Sequence, residues 1–359
     1  MITDAILKHE EQAVFSLRAL YRRYGYAPYK MSRFEEYDLY VRNKDFLVSD
    51  QIITFSGDRG RLMALKPDVT LSIVKNAPEA PGVVQKVYYH ENVYRDYREI
   101  MQAGLECVGD LGDYEIAEVA LLAVKSLEAL GGKYVLDLSH MGLVAAVLDA
   151  SGLEAPGKAM ECLRRKNLHE LEVLCADNKT AWEKLSALLL CHGGGEQLEV
   201  IEKVLTTEAE QQALAELADL WKLLSSTGCG QNVRLDFSVG TSMGYYSGVV
   251  FQGYLEGLPE RILSGGQYDK LPKKMGRKAK AIGFAIYLDL LQGLYPPEQE
   301  RMVDTLILHD GTVDTRRLAA AAEEAAKTGT ILVARNLPKE LNYRTLIRFE
   351  KGERVSWNF

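Results

Sequence analysis

The 359-residue chain has no apolar run near the ~18 residues that a membrane-spanning helix requires. Its first residues show no basic stretch leading into an apolar one, so no secretory leader is expected. Cysteine is scarce: Cys107, Cys162, Cys175, Cys191 and Cys229 are odd in number and contain no C-x-x-C pair. This argues against a disulfide framework or a C-x-x-C zinc site and reads as reduced thiols in a cytoplasmic protein. No G-x-G-x-x-G follows a strand pattern and no G-x-x-x-x-G-K-[ST] occurs, which leaves out the common dinucleotide and P-loop sites. H-E-x-x-H and G-x-S-x-G are missing as well. Neither a resident metal nor a cofactor is expected. Basic excess is also lacking, with 43 Lys and Arg against 50 Asp and Glu for a net charge of -7. Short clusters such as Arg22-Arg23, Arg164-Arg165-Lys166 and Lys273-Lys274 read as solvated faces, so nucleic acid is not an expected partner.

What remains is ordinary globular composition, 47% hydrophobic and 26% charged, at a length that suggests two domains. Residues 4–24 carry a helical apolar stripe, capped by Thr3 or Asp4 and stopped at Gly25. A hairpin spans 51–65, with Gly and Asp at the positive-φ positions of its reversal. Pro67-Asp68 opens a helix with the proline in its first turn. Residues 83–95 and 98–108 read as strands, 113–130 as a helix and 133–138 as a strand. From about 141 to 226 the pattern is helical, broken at Gly193-Gly-Gly195, and strands resume at 232–237 and 246–252. We read residues 1–298 as one domain with a helical insertion, and 299–359 as a small α/β module.

Three segments place polar and aromatic groups where core would otherwise stand. They are Leu65–Thr70, Tyr94–Gly109, and Met243–Phe251 together with Leu263–Leu271. Strand spacing puts Gln102, Gly104 and Glu106 on one face, with the glycine leaving room between an amide and a carboxylate. Asp68 at a helix start and the hydroxyls of Tyr245 or Tyr246 and Tyr268 would complete a polar pocket for a small ligand carrying an ammonium or several N–H donors. His90, beside Tyr88 and Tyr89 in a strand, reads as a structural histidine.

In order, these segments resemble histidyl-tRNA synthetase and its class II relatives over roughly residues 1–295. Tyr94-Arg95 corresponds to the start of motif 2, and Gln102-Ala-Gly104-Leu-Glu106 to the Gln-x-Gly-x-Glu run of the histidine pocket. Tyr245-Tyr-Ser-Gly-Val-Val-Phe251 and Gly265-Gly-Gln-Tyr-Asp269 correspond to Tyr-Tyr-Thr-Gly-x-Val-Phe and Gly-Gly-Arg-Tyr-Asp. Lys66-Pro67-Asp68-Val69-Thr70 is similar to Arg-Pro-Glu-x-Thr, whose acid and threonine hold the substrate's amino group. The resemblance implies an α+β fold: a mixed, mainly antiparallel sheet of six or seven strands flanked by helices. It also implies a homodimer, with the first helix and the strand after Gly25 at the interface.

The departures bear on chemistry. Amino-acid activation needs cations to stabilise charge developing on the α-phosphate of ATP. The motif 2 loop is almost absent between Arg95 and Arg98, Thr241 and Gln267 stand where arginines are expected, and Leu290 occupies the motif 3 arginine position. Losing one such donor typically costs about 3–4 kcal/mol of transition-state stabilisation, so several losses should abolish aminoacylation. The carboxy-terminal module is also too short for a full anticodon-binding domain.

A synthetase-like body that keeps an amino-acid pocket and loses ATP chemistry resembles the ATP phosphoribosyltransferase regulatory subunits. That resemblance implies a non-catalytic partner of a short catalytic subunit, activating the first step of histidine biosynthesis and transmitting feedback by histidine. The residues it designates for histidine are Asp68, Thr70, Gln102, Glu106, Tyr245, Tyr246 and Tyr268, with Arg95 for the carboxylate. Two other readings are a divergent enzyme that still adenylates histidine or another amino acid, and an interaction protein with a vestigial pocket.

Overall fold

The first helix, α1 (His9–Arg23), ends where its stripe ends. The N–H of Gly25 bonds to Arg22 O and that of Tyr26 to Tyr21 O, with Gly25 at φ 82°, a Schellman closure that needs a left-handed residue. At its start Glu11 accepts a hydrogen bond from the N–H of Lys8 at 2.9 Å. The expected caps Thr3 and Asp4 lie outside the described residues, which in this computed structural model are 8–47, 49, 51–240, 246–294, 302–338 and 341–358. Two compact units divide the chain, Met1–Leu294 and Tyr295–Phe359.

In the first unit β1 (Ala27–Pro28) precedes a small sheet of β2 (Phe34–Glu36), β3 (Thr54–Ser56) and β4 (Leu62–Leu65), in the order β2-β4-β3, with α2 (Tyr37–Arg42) after β2. The β3–β4 reversal uses one left-handed residue, Gly60 at φ 76°. Asp58 sits instead in a 3-10 turn, contrary to the expectation that it would share that conformation.

Helix α3 (Thr70–Asn76) begins later than expected, because Lys66 is still extended: its carbonyl accepts from Tyr94 N–H and its N–H donates to Arg33 O. Pro67 therefore precedes the helix, and Asp68 does the capping, its Oδ1 accepting from Leu71 N–H at 2.8 Å.

Strands β5 (Val84–Arg95) and β6 (Arg98–Gly109) form the long central hairpin, followed by α4 (Asp113–Leu130) and β7 (Tyr134–His140). Six helices fill the insertion: α5 (Met141–Ser151), α6 (Pro156–Arg165), α7 (Leu168–Leu174), α8 (Lys179–Leu190), α9 (Glu196–Glu202) and α10 (Glu208–Ser226). The two-residue β8 (His192–Gly193) falls at the glycine break. An ion pair pins this insertion: Lys184 and Glu210, 1% and 0% exposed, meet at 2.7 Å. Glu210 also accepts from the N–H groups of Thr206 and Thr207.

The chain returns through β9 (Val233–Asp236), β10 (Val249–Leu255), β11 (Leu263–Gln267), α11 (Lys270–Lys274) and β12 (Lys280–Tyr287). Strand β10 starts three residues after the expected Tyr246; Ser247 N–H bonds to Gln267 O just beyond the open end of the β10–β11 ladder. The main sheet runs β1-β5-β6-β12-β11-β10-β7-β9-β8. Only β1–β5 and β7–β9 pair in parallel, so it is the mixed, mainly antiparallel sheet expected, widened to nine strands by two-residue strands at each edge. Helices α1 and α4 pack against the sheet, with Tyr21 hydroxyl against Ser126 Oγ at 3.0 Å between them. Among the described residues no helix is long and apolar enough to cross a membrane.

The second unit comprises β13 (Met302–His309), α12 (Thr315–Ala326), β14 (Ile331–Ala334), β15 (Asn342–Glu350) and β16 (Glu353–Asn358), in the order β14-β13-β15-β16. Ile307, Val313, Ala321, Ile347 and Phe349 form its own core.

Candidate functional site

A cavity of about 330 Å³ opens on one face of the main sheet, and seven of the eight designated residues line it. Asp68 and Thr70 come from the start of α3, Arg95 from the end of β5, and Gln102 and Glu106 from β6. Tyr246 and Tyr268 come from the segments flanking β10 and β11. Tyr245, with Thr241, lies outside the described residues. Strands concentrate these groups because alternate residues of neighbouring strands point to the same face. By the same rule Tyr89 lines the cavity while the adjacent His90 does not.

Glu106, 2% exposed, is the centre of the polar network. Thr70 Oγ1 donates to its Oε1 at 2.7 Å and the Tyr268 hydroxyl donates to its Oε2. Burial pushes its carboxyl up to about 8, against the opposing influence of those two hydrogen bonds, and Asp68 adds to the rise. Burial likewise raises Asp68, with Leu71 N–H and Arg95 pulling the other way. Tyr89 is raised by burial and by the nearby carboxyls. Near neutral pH burial thus favours the protonated form of Glu106, and a cation or N–H donors beside it would favour the carboxylate.

Two glycines are required by packing. A Cβ at Gly283 of β12 would overlap the Glu106 carboxylate. One at Gly104 would run into Tyr89 and the Phe284 carbonyl. The space beside Gly104 is therefore taken by Tyr89, paired opposite it on β5, and is not left open between Gln102 and Glu106 as the sequence suggests.

The positions bearing on nucleotide chemistry are equally specific. Arg95 pairs with Arg98 across the hairpin, so Asp96 and Tyr97 alone make the turn, at φ 52° and 60°. Gln267 is turned toward Asp269, donating from Nε2 to Oδ2 at 2.6 Å, and is not among the cavity-lining residues. Leu290 lines a second, larger cavity of about 800 Å³, which shares Arg95, Arg261 and Tyr287 with the first. Arg261 escaped sequence reading because it lies in a connection, where no periodicity marks a direction. Tyr89 carried a usable signal, its β-strand parity with Gly104.

The histidyl-tRNA synthetase family profile matches residues 3–291. A Thermus thermophilus protein named ATP phosphoribosyltransferase regulatory subunit is 32% identical over 320 residues, covering 85% of this chain and 84% of that one. A Bacillus halodurans structure described as an ATP phosphoribosyltransferase regulatory subunit/histidyl-tRNA synthetase superposes with a TM-score of 0.78 at 25% identity, covering 95% and 93% of the two chains. The ATP phosphoribosyl transferase (HisG:HisZ) complex from Thermotoga maritima contains a chain of the same fold, at a TM-score of 0.62 and 19% identity over 78% of this chain and 97% of that one. On this length of match and this fold, the chain belongs to the family of ATP phosphoribosyltransferase regulatory subunits, the paralogues of histidyl-tRNA synthetase.

Proposed function

We propose that this chain is a non-catalytic allosteric subunit that binds a short ATP phosphoribosyltransferase catalytic subunit, activates it, and transmits inhibition by L-histidine. The observation that carries this reading is a cavity lined by buried carboxyls, an amide and tyrosines beside a hairpin reduced to two turn residues. Asp68, Thr70, Gln102, Glu106, Tyr246 and Tyr268 surround one cavity with Arg95, a set of acceptors and donors suited to a zwitterion with an imidazole. Tyr245 belongs to the same proposal by its place in the motif. Beside them, the Asp96–Tyr97 turn leaves no loop to close over ATP, and neither Gln267 nor Leu290 can supply the cation that adenylation needs.

Histidine regulates only through a difference in affinity between two states of the assembly, typically a coupling of about 1–3 kcal/mol. The building block we propose is a homodimer using α1 and β1, in the cytoplasm with the biosynthetic enzyme. The test is reconstitution: the chain is mixed with the short catalytic subunit and phosphoribosyl-ATP formation is followed with and without histidine. Activation reversed by histidine is the expected result. No co-elution and no activation would refute the proposal, and histidine-dependent ATP–pyrophosphate exchange by the chain alone would establish the adenylating alternative.

A further inference from the structure

Arg261 stands in the connection between β10 and β11, and its side chain lines both the cavity of Glu106 and the larger one beside it. Arg95, 6% exposed, occupies the same boundary from β5. The Nε atoms of both arginines are buried, and neither has a hydrogen-bond partner among the described residues. A guanidinium stays charged across the physiological range, and a buried charged donor without a partner is destabilising unless a ligand supplies the acceptor. Two such donors at one boundary form a site for a small anion. Asp68 and Glu106 line only the first cavity, so charge is divided: carboxyls inside, guanidiniums where the cavities meet. Beyond Arg95 and Arg261 the second cavity is rimmed, among the described residues, by Asp96, Glu99, Glu260 and Asp289 against the single cation Arg98, an acidic excess that opposes a polyphosphate and favours a single anionic group at the boundary.

We propose that Arg261 is a specificity-determining residue that, with Arg95, holds the α-carboxylate of the bound amino acid and excludes ligands lacking one. The proposal rests on the reading of this cavity as an L-histidine site. It assigns to a residue of the β10–β11 connection a charge that the sequence lacks at Thr241.

Calorimetry on the full chain with L-histidine and with histamine, which has the same ring and amino group but no carboxylate, tests it. The wild-type chain should prefer histidine. R261Q should weaken histidine about tenfold to a hundredfold while changing histamine by less than about threefold, and R261K should recover part of the loss. R261M, which keeps the packing of the stem, replaces R261Q under the same criteria if the glutamine variant does not fold. Equal loss for both ligands, or none for either, overturns the role of Arg261 and leaves the histidine reading standing. If the wild-type chain binds no histidine, both fall.

Discussion

Thr70, the first residue of α3, donates its hydroxyl hydrogen to Glu106 in the last third of β6 over 2.7 Å. The bond ties a helix start to the sheet floor, 36 residues apart in sequence. Tyr268 holds the other carboxylate oxygen, so the carboxyl that defines the cavity is fixed from two sides before any ligand arrives. Such preorganisation lets a ligand gain from its contacts without the cost of ordering them.

Replacing Glu106 by Gln keeps a hydrogen-bonding side chain of nearly the same shape and removes the charge a cationic ligand would call up. Histidine affinity should fall about tenfold to a hundredfold by calorimetry, while co-elution with the catalytic subunit is unchanged. Loss of the complex along with histidine binding would show that Glu106 serves the assembly and not the ligand.

The same carboxyl should leave a mark on stability. Its ordinary value of 4.5 in the unfolded chain rises to about 8 on folding, so the folded state binds the proton more tightly. By linkage the wild-type chain should lose stability as pH climbs from about 4.5 to about 8 and then level off, with raised Asp68 acting in the same direction. Denaturant titrations of wild type and Glu106→Gln at several pH values check this, and parallel curves for the two proteins would contradict it.

Lys184→Met should destabilise the insertion by about 3–5 kcal/mol, because it leaves the buried Glu210 carboxylate without its cation. Chemical denaturation followed by circular dichroism provides the readout. A change below about 1 kcal/mol would mean that Glu210 is satisfied by Thr206 and Thr207 alone.

Tyr97, 84% exposed, holds φ 60° in a two-residue turn that favours glycine at this place. Tyr97→Gly should raise stability by about 0.5–1 kcal/mol, the relief of a left-handed side chain less the entropy of the added glycine. Thermal melts would register this as a small upward shift; a downward one would show that the ring makes a contact worth more than the strain.

Gly283→Ala should abolish histidine binding, since its methyl group would displace the Glu106 carboxylate. It should also destabilise the fold by about 1–3 kcal/mol as the core gives way. Retained binding would mean that β12 shifts at little cost.

The local periodicities and the ordered motifs determined most elements of this protein and the composition of its pocket. The β5–β6 hairpin, α4 and the helical insertion follow from patterns of two or of three and four residues, which depend on neighbours along the chain. Gln102 and Glu106 were legible because polar groups in an otherwise apolar strand stand out in any sequence, Asp68 and Tyr268 because they are polar groups in segments where core would otherwise stand, and Thr70 through the family resemblance. Tertiary structure alone decided what each of them meets. That Gly104 admits Tyr89, that Gln267 turns to Asp269 and that Arg261 reaches the Arg95 boundary follow from strand order and from the crossing of distant connections. Lys184 and Glu210 make the same point: they lie 26 residues apart on different helices, and only the packing of the insertion buries them against each other. Pair distances between remote segments leave no trace in local patterning, since they are set by the global packing that buries the apolar faces together.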